Sequence, residues 1–461
     1  MDVDLLHKII EEVCSMGASY ADVRLQELDV SSISVRNGNV EGASISRRKG
    51  VGIRVLIEGA WGFSSTEIVK EAELRKAVTN AFKMAKTSLG ARRRKARLAE
   101  TPICRVNLRA KITENPADVD PGEKAKLVLE LEKLMRSRSL TIKDSQIFYG
   151  DTLDRRVFVS SEGGEVIVEK TRVRFGAYVV ASENNILSPA YEAVGGVTGF
   201  ELMRSEEPYK AVESAAERAV RLLKAKVPRG GLAVAVLDNK LLALIVHEAF
   251  GHCAEADLVL SGDVLSGKLG QRVASELVTI VDDPGPEHAY GWTPYDDEGV
   301  EGRKAVIVEK GVLKGYMHTR ETAAEVGAKP TGNARAQDYS FAPIVRMRNT
   351  YMEPGDWKPE EIIAETKEGY YLKGALGGQA DANGEFMFAI QEAWSIEKGE
   401  LAEAYRGVAV SGNALEVLGS VDAVGCDFKI GFPGTCGKGQ TVPVDGGGPH
   451  IRCKIIVGGA Q

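Results

Sequence analysis

The segment LAVAVLDNKLLALIVHEAFGH, residues 232–252, decides how the second half of this chain folds. Its start, Leu232 to Leu237, is a short continuous apolar run, the pattern of a buried strand. Asp238 follows as a helix N-cap, because its short side chain can accept from the unpaired N–H groups of a first turn. From Lys240 to Gly251, Leu241, Leu244, Ile245 and Ala249 recur at helical spacing, so a core helix is expected. At its end stands His247-Glu248-Ala249-Phe250-Gly251-His252, two imidazoles bracketing a carboxylate.

With 6 histidines and 65 acidic residues in 461 positions, chance supplies roughly 0.01 such patterns per chain. A spacing of four would put two rings on one face of a helix with 3.6 residues per turn. The spacing here is five. In a regular helix that sets the second ring roughly 140° from the first, too far round to share an ion. A distorted helix is therefore expected, with Gly251 permitting a wide π-type turn or an early end.

Outward from this segment, the chain is long enough for two or three domains. Residues Asp4 to Met16 have helical spacing. Short alternating runs follow at Val30 to Val35, Val40 to Ser46 and Gly52 to Leu56, with a hairpin signal at Asn37-Gly38, and a second helical stretch covers Glu71 to Lys86. A similar order recurs: a helix from Pro121 to Met135, alternating runs around 145–149, 156–160, 166–169 and 172–180, then a helix from Pro208 to Lys226. No residue-level repeat accompanies this echo. Pro228-Arg229-Gly230-Gly231 reads as a boundary. The expectation is an α+β chain: an N-terminal domain of helices on antiparallel sheets, 1–228, with sub-units 1–100 and 118–228. A mostly antiparallel β domain, 229–461, would carry the motif helix and the Lys310-Gly311 hairpin.

The net charge of −6 argues against nucleic acid or an anionic membrane as main partner. Arg92, Arg93, Arg94, Lys95 and Arg97 read as a solvated helix C-terminus and linker, without interleaved aromatic residues. No basic-then-apolar leader opens the sequence and no apolar run reaches spanning length. Six sparse cysteines with no Cys-x-x-Cys pair suit a reducing, cytoplasmic setting.

A catalytic zinc takes three protein ligands and leaves one position open. His247 and His252 supply two. Residue chemistry leaves the third open among Cys436, in the glycine-dense stretch Gly434-Thr435-Cys436-Gly437-Lys438-Gly439-Gln440, and the nearby carboxylates Glu255 and Asp257, with a site that holds no metal as the remaining alternative. Cys253 is disfavoured, because adjacent side chains on a helix diverge by about 100°. Glu248 projects to another side and suits a general base.

The chain resembles the TldD/PmbA family of zinc-dependent peptidases, also called modulators of DNA gyrase, and within it the TldD branch. The similarity rests on the His247–His252 motif and on Val273-Ala274-Ser275-Glu276-Leu277, Asp296-Asp297-Glu298-Gly299, Leu313-Lys314-Gly315-Tyr316-Met317, Pro330-Thr331-Gly332-Asn333, Asn349-Thr350-Tyr351-Met352 and Cys436-Gly437-Lys438. The resemblance implies zinc on His247, His252 and Cys436, with Glu248 as the catalytic glutamate. It also implies pairing with a paralogue that lacks the metal motif, a homodimer being the alternative, around a space that admits unfolded or short peptides bound as an added strand. Where many of the family have Gly-Tyr-Met-Gln, this chain has His318. That residue, with His7, His288 and His450, reads as an ordinary hydrogen-bonded surface histidine, and Asp296-Asp297-Glu298 as a turn. The competing expectation is a non-catalytic regulatory partner with a structural zinc, and a third is hydrolysis of some other amide.

Overall fold

The computed structural model describes residues 3–90, 94–381 and 383–459. The fold is α+β. The N-terminal half runs α1 (Val3–Ser15), β1 (Tyr20–Arg36), β2 (Asn39–Ile57), β3 (Ala60–Thr66), α2 (Glu71–Ser88), β4 (Arg105–Arg109), α3 (Pro121–Ser137), β5 (Ile142–Ser160), β6 (Glu165–Glu183), β7 (Ile186–Val197), α4 (Glu201–Arg204) and α5 (Glu207–Leu222). All seven strands join one sheet in the order β3-β2-β1-β5-β6-β4, with β7 also on β6. The echo seen in the sequence is thus a real repetition of order about the β1–β5 pair, which runs antiparallel from Asp22↔Ser160 to Arg36↔Gln146.

The short runs expected from alternation are fragments of much longer strands. The run Val30 to Val35 lies in β1 and the runs Val40 to Ser46 and Gly52 to Leu56 both lie in β2, strands of 17 and 19 residues with the Asn37-Gly38 turn between. Both turn residues adopt positive φ, 49° and 82°, as a two-residue hairpin turn requires. Alternation fades because β1 is buried on both faces at its start and half-buried in its middle, while β2 is exposed on both faces over its first eleven residues and buried on both thereafter. Odd-numbered residues of β1, Val23, Leu25, Ile33 and Val35, pack under the helices α1, α2, α3 and α5. Even-numbered Asp22, Arg24 and Gln26 point to the opposite face and are also buried.

That polar face meets the C-terminal half. Arg54 bonds Asp22 within its own sheet and Glu298 across the junction at 3.0 Å. Arg156 likewise bridges Asp154 and Asp297 at 3.0 and 2.8 Å. The Asp296-Asp297-Glu298-Gly299 stretch is a turn, with Gly299 at φ 71°. Its carboxylates are buried and serve as the latch between the halves. Of the basic run, Arg92 and Arg93 lie outside the described residues, and Arg94 pairs with Glu325.

The C-terminal half begins with β8 (Gly231–Leu237) and α6 (Asn239–Leu244). Strand β8 pairs parallel with Glu368–Ala380 and antiparallel with Ile451–Gly459, and onward pairing through Val408–Asn413 and Glu385–Glu397 returns to Glu368–Ala380. The sheet therefore closes into a ring. A second sheet orders Val312–Leu313, Ala305–Glu309, Ile280–Asp283, Asn349–Met352 and Thr441–Gly448, and the Lys310-Gly311 hairpin lies at its edge. Both sheets and α6 share one core. No helix among the described residues is long and apolar enough to cross a membrane.

Candidate metal centre and active site

Asp238 caps α6 by accepting from the Leu241 N–H at 2.9 Å. The helix is buried almost all round rather than on one stripe: Leu241, Leu242, Ile245, Val246, Ala249 and Phe250 are all closed off. From Ile245 to Gly251 it widens into a π-helix, then tightens into a 3-10 turn at His252–Ala254. The His252 N–H donates to the His247 carbonyl, a bond spanning five residues. This is what the five-residue spacing needs. The rings now stand edge to face with centroids 5.4 Å apart.

Gly251 does not supply the backbone freedom its sequence position suggests. Its backbone is ordinary right-handed helix, φ −60° and ψ −45°. A Cβ there would lie 2.4 Å from the Met347 Sδ and 3.1 Å from the Val246 carbonyl. Glycine is required for close packing, not for backbone freedom.

Cys436 sits on a strand, Gly434–Gly437, rather than in a loop; it pairs with Val442 across a hairpin. Fully buried Arg346 holds the turn by donating to the Cys436 carbonyl at 2.7 Å and to the Gln440 carbonyl. The Cys436 Sγ reaches 3.3 Å from the His252 Nε2. His247, His252 and Cys436 each bring one ligand atom within 4.8 Å of the others. Burial would raise the thiol, but hydrogen bonds from both imidazoles outweigh it and bring Cys436 down to about 5.

Two residues named as alternative ligands serve the site differently. Glu255, fully buried, bonds the His252 Nδ1 at 2.9 Å and leaves Nε2 facing the thiolate, the carboxylate–histidine pairing typical of metal sites. Asp257 takes the Lys438 ammonium at 2.9 Å, and Lys438 also reaches Glu255 at 3.1 Å. Cys253 points away, toward the Ala249 carbonyl. The supporting roles of Lys438 and Arg346 escaped sequence reading: Lys438 could have been suspected beside Cys436, whereas nothing local marks Arg346.

Glu248, 35% exposed at its side chain, stands 3.8 Å from the His252 Nε2. It lies at the head of a cleft of about 240 Å³ that also includes His247, Leu244, Phe432 and Thr435. Tyr191 and Ala193 of β7 form the far wall, so both halves of the chain build it. His318 is not a surface residue: it is 4% exposed and bonded to the Thr322 hydroxyl, and burial pushes it down to about 4. His450 is also buried, held by Asp427 at 2.7 Å and stacked on Tyr371. His7 is partly exposed against Glu165, and only His288 is freely exposed.

Two imidazoles and a low-pKa thiol form a nitrogen–sulfur donor set. Tetrahedral zinc bonds of about 2.0–2.3 Å put ligand atoms about 3.3–3.6 Å apart; the Cys436 Sγ and His252 Nε2 stand at 3.3 Å, and all three atoms lie within 4.8 Å. The residues fit a metal. Sequence profiles of the PmbA/TldA metallopeptidase match this chain as domain 1 over residues 21–85, the central domain over 114–223 and the C-terminal domain over 231–459. The chain belongs to the PmbA/TldA metallopeptidase family. A metalloprotease of Methanocaldococcus jannaschii is 43% identical over 96% of this chain and 97% of its own length. A zinc metalloprotease TldD homolog of Saccharolobus solfataricus is 32% identical over 98% of this chain and all of its own. Among solved structures, TldE from Thermococcus kodakarensis superposes with a TM-score of 0.80, covering 99% of this chain and 100% of that one. At 20% identity it is a likeness of fold. The resemblance to the TldD branch read from the sequence agrees with these relatives, and the enzyme class is peptidase.

Proposed function

We propose that this PmbA/TldA member is a zinc-dependent peptidase that hydrolyses unfolded or short polypeptides, with His247, His252 and Cys436 as ligands and Glu248 as general base. The observation that carries this reading is the convergence of three donors beside a partly exposed carboxylate at the head of an open cleft. A zinc ion held by His247, His252 and Cys436 would supply Lewis acidity, making water acidic enough to lose a proton near neutral pH and polarising a carbonyl. Glu248 then takes the proton and returns it to the leaving amine. Glu255 and Lys438 keep His252 in the required tautomer and orientation.

Three donors, one short of a closed structural site, favour catalysis over a purely regulatory zinc among the described residues. Among the described residues the strand Gly434–Gly437 pairs on one side only, with Thr441–Gly448, and Gly434 and Thr435 line the cleft. A peptide added along its outer edge would have its backbone read and its side chains only loosely selected. Pairing with a paralogue lacking the motif, or with a second copy, would enclose this cleft. Six free cysteines support a reducing, cytoplasmic setting.

The test is metal analysis with cleavage of an unfolded peptide panel, run with and without a paralogous subunit. Glu248→Gln should retain zinc and lose about 10²–10⁴-fold in kcat. Equal cleavage by wild type and Glu248→Gln would remove the general base, and zinc bound equally well by Cys436→Ala would remove the ligand set.

A further inference from the structure

The strongest unassigned feature lies between the N-terminal sheet and the C-terminal half. A cavity of about 40 Å³ is lined there by five cationic side chains: Arg24 on β1, Arg156 on β5, Lys170 and Arg172 on β6, and Arg335. Space of about 10–15 Å³ suffices for one water, so a small polyatomic ion fits. Three carboxylates share the wall, Asp154, Asp296 and Asp297. Asp154 and Asp297 both bond Arg156. Burial, and then the neighbouring Glu298, hold Asp296 well above the usual carboxylate range, so it adds little negative charge.

The other four cations are 4–7% exposed. Among the described residues, none forms an ion pair with a carboxylate. Each has a backbone carbonyl instead: Lys170 Nζ donates to Trp292 at 3.2 Å, Arg172 Nε to Tyr290 at 2.8 Å, Arg335 Nη2 to Pro443 at 2.6 Å, and Arg24 to Phe341. The Arg24 Nε is buried with no hydrogen-bond partner. Buried charges are ordinarily paired, because desolvation costs several kcal/mol per ion. A lysine can escape that cost by losing its proton, and burial with Arg172 nearby does hold Lys170 well below its ordinary value. Guanidinium groups have no such escape at neutral pH.

We propose that this cavity is a binding site for a small oxyanion of the phosphate or sulfate class, held by Arg24, Lys170, Arg172 and Arg335. Planar guanidinium forks match tetrahedral oxyanions, and an ammonium adds a point charge. Pro443 and Val442 at the cavity wall pair with Thr435 and Cys436, so a bound anion would brace the back of the hairpin that carries the thiol.

The test is thermal unfolding of the full-length protein at constant ionic strength, replacing bulky gluconate stepwise with phosphate, sulfate or chloride. Phosphate and sulfate should raise the midpoint saturably, with the folding constant growing about 100-fold at 100 times the Kd. Lys170→Met, which removes a buried amine whose charging is opposed by burial and by Arg172, should match or exceed wild type in gluconate and fall below it in phosphate. Arg172→Met should show the same reversal. Selenate soaked into crystals should give an anomalous peak between Lys170 and Arg335, a readout that survives even if either variant fails to fold. Equal phosphate responses in wild type and variants, a response to chloride alone, or no selenate peak would overturn the proposal. None of these readouts depends on peptidase activity, so the outcome is separate from that of the zinc assignment.

Discussion

Glu255 shows how much a single side chain contributes by holding a histidine in place. It fixes the His252 Nδ1 while lying fully buried beside Lys438 and Arg346. Glu255→Gln keeps the shape and removes the charge, so zinc affinity should fall about 10–100-fold with the fold retained, as competition with a chromophoric chelator would measure. His318 gives a pH signature away from the metal. Its folded value, about 4, lies below the unfolded value near 6.5, so the unfolded chain binds the proton more readily. Stability from this residue is present above about pH 6.5 and falls as pH drops toward 4, by on the order of 3 kcal/mol. His318→Gln should flatten that slope in denaturant midpoints between pH 4 and 7. Sequence marked the two motif histidines because their spacing is rare, and misjudged His318 and His450 because burial depends on what packs over a residue.

At the level of elements, the helix bearing the motif is as instructive as the motif. The conflict between a five-residue spacing and a 3.6-residue turn made distortion predictable, and the π-turn resolves it. The role of Gly251 was not predictable, because Met347 is 96 residues away in the chain and only the fold brings its sulfur against that glycine. Gly251→Ala should therefore cost about 1–3 kcal/mol by overpacking. Shortening Met347 to alanine in the same chain should recover part of the alanine penalty, measured as a coupling in a double-mutant cycle; strict additivity would contradict the contact. The long strands teach the same lesson. Hairpin turns were legible at Asn37-Gly38 and Lys310-Gly311, whereas strand length was hidden wherever both faces share one environment, buried at the start of β1 and exposed at the start of β2.

For the whole molecule, the polar face of the N-terminal sheet is the joint on which the cleft depends. Arg54 compensates two buried carboxylates, Asp22 in its own sheet and Glu298 across the junction. Arg54→Met strands both, and should cost about 3–5 kcal/mol in denaturant unfolding. Because Tyr191 and Ala193 wall the cleft from the N-terminal side, cleavage should weaken with it. A stability change below about 1 kcal/mol would show that the joint is held elsewhere.

What the sequence determined alone is local form: two motif histidines at a rare spacing around Glu248, the turns, the cap at Asp238 and the need for a bent helix. Each is encoded by residues within a few positions of one another, where spacing translates directly into geometry. The tertiary structure alone decided that Cys436 meets His252, that Glu255 bonds the His252 Nδ1, and that five cationic side chains gather in one cavity. Those outcomes join residues up to some three hundred positions apart. Their distances are set by sheet register and core packing, which no local pattern specifies.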